Sequence, residues 1–194
     1  MFRKVSRWLY HVSTGWVALA ALIVFALFTA LVLPAQSAPS DALASEGAED
    51  VGSPDLSLWY APADLYRMAE AYGSQGRQDY IRARFSFDVA WPLVYGVFLV
   101  TAISWLYARA FATDSLFRWA NLAPVLGVLL DFAENVSSSL VMARYPSRTP
   151  GIDVLAPVFT LLKWVFVGGS FVLLVVGLGV ALWRWARAKF RRAS

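Results

Sequence analysis

Residues 122–141 read LAPVLGVLLDFAENVSSSLV, twenty positions that are apolar apart from Asp131, Glu134, Asn135 and the serines 137–139. At about 1.5 Å per residue a helix of that length spans about 30 Å, the thickness of a bilayer's hydrocarbon core. The apolar residues run on continuously instead of alternating, so the stretch predicts a transmembrane helix and not a barrel strand. Ionised side chains at that depth cost roughly 2.5–3.5 kcal/mol each on insertion scales. A chain that keeps them is expected to aim them at a bundle interior or a wet cavity, which makes Asp131, Glu134 and Asn135 the candidate site.

Three further apolar windows flank this one, and the expected spans are 15–33, 86–108, 117–142 and 153–184. The 194 residues are 59% hydrophobic and 15% charged, against about 45–50% and about 25% in soluble domains. An all-α, four-helix transmembrane bundle in a single membrane domain follows. Arg3, Lys4 and Arg7 precede the first span, while Arg184, Arg187, Lys189, Arg191 and Arg192 follow the last. The long first loop is acidic, with Asp41, Glu46, Glu49, Asp50, Asp55, Asp64, Glu70 and Asp79. Positive residues mark the cytoplasmic side, so both termini are expected there. The net charge of +4 is then a matter of topology, with the lipid bilayer and anionic head groups at the basic tail as partners, and no nucleic acid.

With no cysteine and one histidine, disulfides, thiolate chemistry and Cys- or His-built metal or haem sites are excluded. His11, in the basic arm, reads as an interfacial polar residue; no metal and no cofactor is expected. The basic start and Ala35-Gln36-Ser37 also resemble a secretory signal. The apolar run Trp16 to Leu33 exceeds the 7–15 residues of a signal core, however, and predicts an uncleaved span.

Residues 34–58 are rich in Ala, Ser, Pro, Asp and Glu and read as a flexible outer linker. Pro62 suits a first helical turn, Leu65, Met68, Ala69 and Tyr72 recur at helical spacing, and Gly73 suits the stop. An amphipathic helix over 62–72 is expected to lie on the bundle or the membrane surface, as an anchor or as a lid. Spans two and three should form an antiparallel hairpin through the short loop at 112–115. Tryptophans near the boundaries, Trp91 among them, read as interfacial anchors. Gly168, Gly169, Gly177 and Gly179 read as places where helices approach closely.

Measured from the arginines that end the spans, Asp88 and Lys163 lie roughly 31 Å out, Glu134 roughly 24 Å, and Tyr95 and Asp131 roughly 20–21 Å. Polarity thus forms a funnel from the outer face to the middle, with nothing comparable expected in the inner half. Gly127, Asp131, Glu134, Asn135 and Ser138 share one helical face; Asp88, Pro92 and Tyr95 share another. Tyr95 is placed to donate to Asp131, while Lys163, Arg82 and Arg84 are placed to neutralise Asp88 or Glu134. Pro92 lacks an N–H, so it frees a backbone carbonyl beside Asp88. The same polar residues also suit plain interhelical glue, worth about 0.6–2 kcal/mol per contact.

The set Gly76-Arg77-x-x-Tyr80, Asp88-x-x-x-Pro92-x-x-Tyr95, Asp131-x-x-Glu134-Asn135, Tyr145-Pro146 and Thr160-x-x-Lys163-Trp164 resembles a group of four-span bacterial integral membrane proteins of unknown function. The likeness runs from Leu65 to Trp164 and implies a four-helix membrane fold but no reaction. The expected function is binding of a cation, or of a cationic or polar lipid-like ligand, in an acidic pocket open to the outer side of a bacterial inner membrane. Asp131 and Glu134 would carry the ligand or proton, Asn135 and Tyr95 would orient it, and Asp88 with Lys163 would form the rim. Two other readings stand beside it: an interaction protein that recruits partners, and a membrane enzyme using paired carboxylates as general acid and base. A pore from four spans would require a homo-oligomer.

Overall fold

A backbone inside lipid has no water to bond to, so a spanning chain must satisfy its own N–H and C=O groups, and a helix does so locally. A computed structural model describes residues 1–34, 52–54 and 57–193, and every regular element among the described residues is helical. The elements are α1 (Phe2–Val12), α2 (Gly15–Leu27, continued by wide π turns over Phe28–Val32), α3 (Pro62–Ala71), α4 (Gly73–Arg84), α5 (Phe87–Ala110), a 3-10 lead-in (Leu116–Leu122), α6 (Ala123–Arg144) and α7 (Ile152–Ala193). Four stretches are long and apolar enough to cross a membrane: Gly15–Val32, Gly73–Ala110, Leu116–Arg144 and Ile152–Arg191. The protein is a multi-pass, four-helix membrane bundle.

A helix not expected from the sequence, α1, precedes the first span. Phe2, Val5, Trp8 and Leu9 occupy one side of α1, while Arg3, Ser6, Arg7 and Tyr10 occupy the other. Ser13 ends α1, and the Thr14 side chain caps α2 by accepting from the Val17 N–H at 3.3 Å. The basic tail is likewise helical, since α7 runs for 42 residues. At about 1.5 Å per residue that is roughly twice the thickness of the hydrocarbon core.

Ring stacking fixes α2 against α5. Phe25 stacks on Phe98 with centroids 4.7 Å apart and on Trp91 at 5.7 Å, and Phe28 stacks on Phe87 and Trp91, each at 5.6 Å. Trp91, half-buried, thus packs between α2 and α5. Close helix approach depends on glycines other than most of those expected. A Cβ at Gly96 would meet Val128 Cγ2 at 2.5 Å, and one at Gly127 would meet Val167 Cγ2 at 2.9 Å. Of the four glycines expected at helix contacts, Gly177 is at one, against Tyr107; among the described residues nothing lies within 4 Å of a Cβ at Gly168, Gly169 or Gly179.

Two apolar cores result. One, in the middle of the bundle, centres on Leu99, Ile103 and Tyr107 of α5. The other lies at the loop end, where Leu65, Met68 and Ala69 of α3 and Tyr80 of α4 pack on Val141, Met142 and Ala156. The amphipathic helix thus rests on the bundle, and α3 with α4 forms a cap over one end of it. Most of the expected linker, residues 35–51 and 55–56, lies outside the described residues. Its described portion is held: Pro54 is fully buried, and Gly52 O accepts from the Tyr72 hydroxyl at 2.9 Å.

Candidate functional site

Below the cap, α5, α6 and α7 bring the candidate residues together in two linked groups. In the first, the Tyr95 hydroxyl donates to Asp131 Oδ2 at 2.8 Å. Asn135 Nδ2 donates to Asp131 Oδ1 at 3.4 Å and to the backbone carbonyl of Asp88 at 3.2 Å. That carbonyl lies four residues before Pro92, which has no N–H to return to it. A side-chain amide on α6 thus closes the gap that a proline opens in α5, and this ties the two helices together at the depth of Asp131.

In the second group, Lys163 of α7 forms an ion pair with Glu134 of α6, both deeply buried. The Thr160 hydroxyl donates to Glu134 Oε1 at 2.8 Å and lies 3.2 Å from the hydroxyl of Tyr60, in the segment leading to α3. Thr160 and Lys163 sit three apart on one face of α7, which is why both reach the same carboxylate. Serine hydroxyls extend the polar seam towards the cap, where Tyr80 of α4 donates to Ser138 at 3.0 Å.

Asp88 and Lys163 do not form a common rim. Asp88 is paired with Arg84 at 3.1 Å, at the junction of α4 and α5, and Arg84 also lies over the Tyr80 ring. Lys163 points inward to Glu134, and Arg82 pairs with Asp79 on the exposed side of α4. Of the residues the sequence singled out, Tyr95, Asp131 and Asn135 form one constellation and Glu134 and Lys163 another. Thr160, Tyr60, Tyr80 and Ser138 complete them. Thr160 was legible from its spacing to Lys163, whereas Tyr60 carries no periodic signal because it lies outside any helix.

The cap is held by its own polar contacts. Arg77 donates to Ala69 O at 2.8 Å and lies over the Tyr145 ring, so one side chain binds the end of α3 to the end of α6. The Tyr66 hydroxyl donates to Asp153 Oδ2 at 3.2 Å and accepts from the Thr149 N–H at 2.7 Å. Asp64 accepts from the Ala61 N–H at 2.8 Å at the start of α3 and pairs with Arg67. That backbone N–H and the guanidinium hold its carboxyl below the usual carboxylate range.

The half of the bundle nearer the termini also holds a polar network, contrary to the expectation from the sequence. Asn121 is fully buried; its Oδ1 accepts from the Ser6 hydroxyl at 2.8 Å, and its Nδ2 donates to Ser6 O at 3.1 Å and Ser104 Oγ at 3.2 Å. Two arginines cap the carbonyl end of α5. Arg118 donates to Ala108 O and Phe111 O, and Arg184 to Arg109 O and Ala110 O. Cations there complement both the unpaired carbonyls and the negative end of the helix dipole. The Tyr10 hydroxyl donates to Arg118 O at 2.8 Å, and burial pushes its ionisation well above the ordinary value.

The site's chemistry is limited by what converges. Among the described residues no three of His, Cys, Asp and Glu come together where a metal ion could bind. The arrangement supplies hydroxyl and amide hydrogen bonds around two buried carboxylates and one ammonium. Among the described residues the buried Asn135 Oδ1 and Ser139 Oγ find no hydrogen-bond partner. No family model, curated protein or solved structure matches the chain.

Proposed function

We propose that this four-helix membrane protein binds a small, hydrogen-bond-donating ligand, cationic or polar, among Asp131, Asn135 and Glu134 beneath the α3–α4 cap. The observation that carries the reading is Asn135 Oδ1, an acceptor atom that finds no hydrogen-bond donor among the described residues although its residue is only 3% exposed. A buried acceptor left unmade costs about 1–3 kcal/mol, so a donor belongs there. A ligand ammonium, hydroxyl or hydrated monovalent cation has donors to offer. A divalent metal held by several carboxylates does not fit the donor set. Tyr95 and Asn135 would orient the ligand on Asp131, with Lys163 balancing Glu134 and Arg84 balancing Asp88.

The positive-inside rule supports termini in the cytoplasm and a cap on the outer side. The motif resemblance supports a bacterial inner membrane, and the basic end of α7 suits anionic head groups. Native mass spectrometry of gently extracted protein tests the site. A discrete small molecule or ion kept by the wild type and lost from a folded Asp131→Asn or Asn135→Leu variant is the expected result. Equal emptiness of all three proteins would refute it.

One observation favours a second reading, in which the network only fixes the bundle for recruiting partner proteins. Glu134 already meets Lys163 and Thr160 from within the chain. In that case Glu134→Gln changes thermal stability alone, and neutralising the tail abolishes association.

A further inference from the structure

The end of the bundle nearest the termini carries a feature unrelated to the acidic site. A cleft of ≈ 700 Å³ opens between α1 and the connection from α5 to the 3-10 lead-in. Arg3 and Arg7 reach it from one side, four residues apart on one face of α1, and Arg118 reaches it from the other; Tyr10 and Ser115 add hydroxyls and Asp114 the one carboxylate. Arg118 is fixed in place, with Nε and Nη2 bonded to the α5 carbonyls and its plane 4.7 Å over the Tyr10 ring. Arg7 Nε is oriented along α1 by Arg3 O at 3.3 Å.

We infer that this cleft binds the phosphate group of an anionic membrane lipid. Three guanidinium groups against one carboxylate favour an anion, and the planar donor fork of arginine matches phosphate oxygens. Membrane position decides the source. The opposite face of α1 exposes Phe2 and Trp8, 64% and 60% accessible, as an amphipathic helix lying in the interface does. Trp119, a ring suited to the same boundary, lines the cleft as well. A site at head-group level, beside a helix whose other face meets lipid, meets phospholipid first.

The test uses the full chain in nanodiscs of phosphatidylcholine with or without phosphatidylglycerol, then release into mild detergent and native mass spectrometry. Wild-type protein is expected to keep a phosphatidylglycerol, and Arg3→Gln/Arg7→Gln to hold it roughly thirty-fold less tightly, at about 1 kcal/mol for each basic residue near an anionic surface. Both arginines are solvent-exposed, so the variant should fold, which an unchanged melting curve will verify. Asp114→Asn should tighten binding. Arg187→Gln/Lys189→Gln, altering only the tail, should leave the retained lipid unchanged. Equal retention by all variants, or equal loss from the tail variant, overturns the site. Displacement of the lipid by inorganic phosphate at equal concentration overturns the lipid as its ligand.

Discussion

At the loop end of the bundle Glu134, wholly buried, meets the ammonium of Lys163 and the hydroxyl of Thr160; at the other end Asn121, equally buried, meets only Ser6 and Ser104. Both arrangements join helices, but their energetics differ. A neutral amide with its oxygen and nitrogen bonded loses little on burial. An ion pair taken out of water loses several kcal/mol of hydration per ion, and mutual attraction often no more than restores it. Asn121 thus joins helices without charge, whereas Glu134 joins them through an ion pair. Its neighbour Asn135 keeps an acceptor that finds no partner among the described residues, whereas Asn121 uses both ends of its amide.

The largest effect expected from this contrast is at Lys163. Lys163→Met would leave a carboxylate in an apolar bundle and destabilise it by about 3–5 kcal/mol, while Lys163→Met/Glu134→Met would restore most of that loss. Thermal unfolding in detergent measures both, and a double variant no more stable than the single one would show that the pair is not the source. Asn121→Leu should come next, at about 1–3 kcal/mol, because it takes a partner from Ser6 and Ser104. If its cost exceeded that of Lys163→Met, the contrast between the two ends would be reversed.

Tyr95→Phe removes one hydrogen bond to Asp131 and should cost about 0.6–2 kcal/mol. It sharpens the comparison through a second readout, since the proposed ligand should also be lost from the folded variant. The smallest effect concerns the cap. The carboxyl of Asp64 is held below its ordinary range by the Ala61 N–H and Arg67. Its contribution is therefore complete above the unfolded-state value of about 3.9 and is lost as pH falls through the lower, folded value. Protection of the amides in the first turn of α3, taken against their intrinsic exchange rates, should fall on acidification in the wild type and be insensitive to it in Asp64→Asn.

Much of this was legible in the sequence because lipid leaves few choices. Continuous apolar runs specify spans, and residues spaced three and four apart on α6 and α7 specify which polar groups share a face. The Tyr95–Asp131 bond follows from matching depth on hairpin-linked helices; the missing N–H of Pro92 marks a free carbonyl beside Asp88 but not Asn135 as its partner. Pairings of charges were less legible. Depth placed Lys163 level with Asp88, yet side chains several ångströms long choose partners by rotamer and neighbouring helix, and Lys163 turned to Glu134 while Arg84 took Asp88. In the N-terminal helix the basic residues mask the pattern, although Phe2, Val5, Trp8 and Leu9 alternate with them at helical spacing.

The sequence by itself determined four membrane helices, the polar faces of α5, α6 and α7, and which end of the bundle carries basic residues. These depend on local periodicity and on the high cost of unsatisfied backbone in lipid, so no distant contact is needed to read them. The tertiary structure alone decided that α3 and α4 cap the acidic end, that Tyr60 joins Thr160, and that α1 folds against the connection after α5 to form a cleft. Those contacts join residues up to 115 positions apart, and only the packing of whole helices against one another brings such residues within reach.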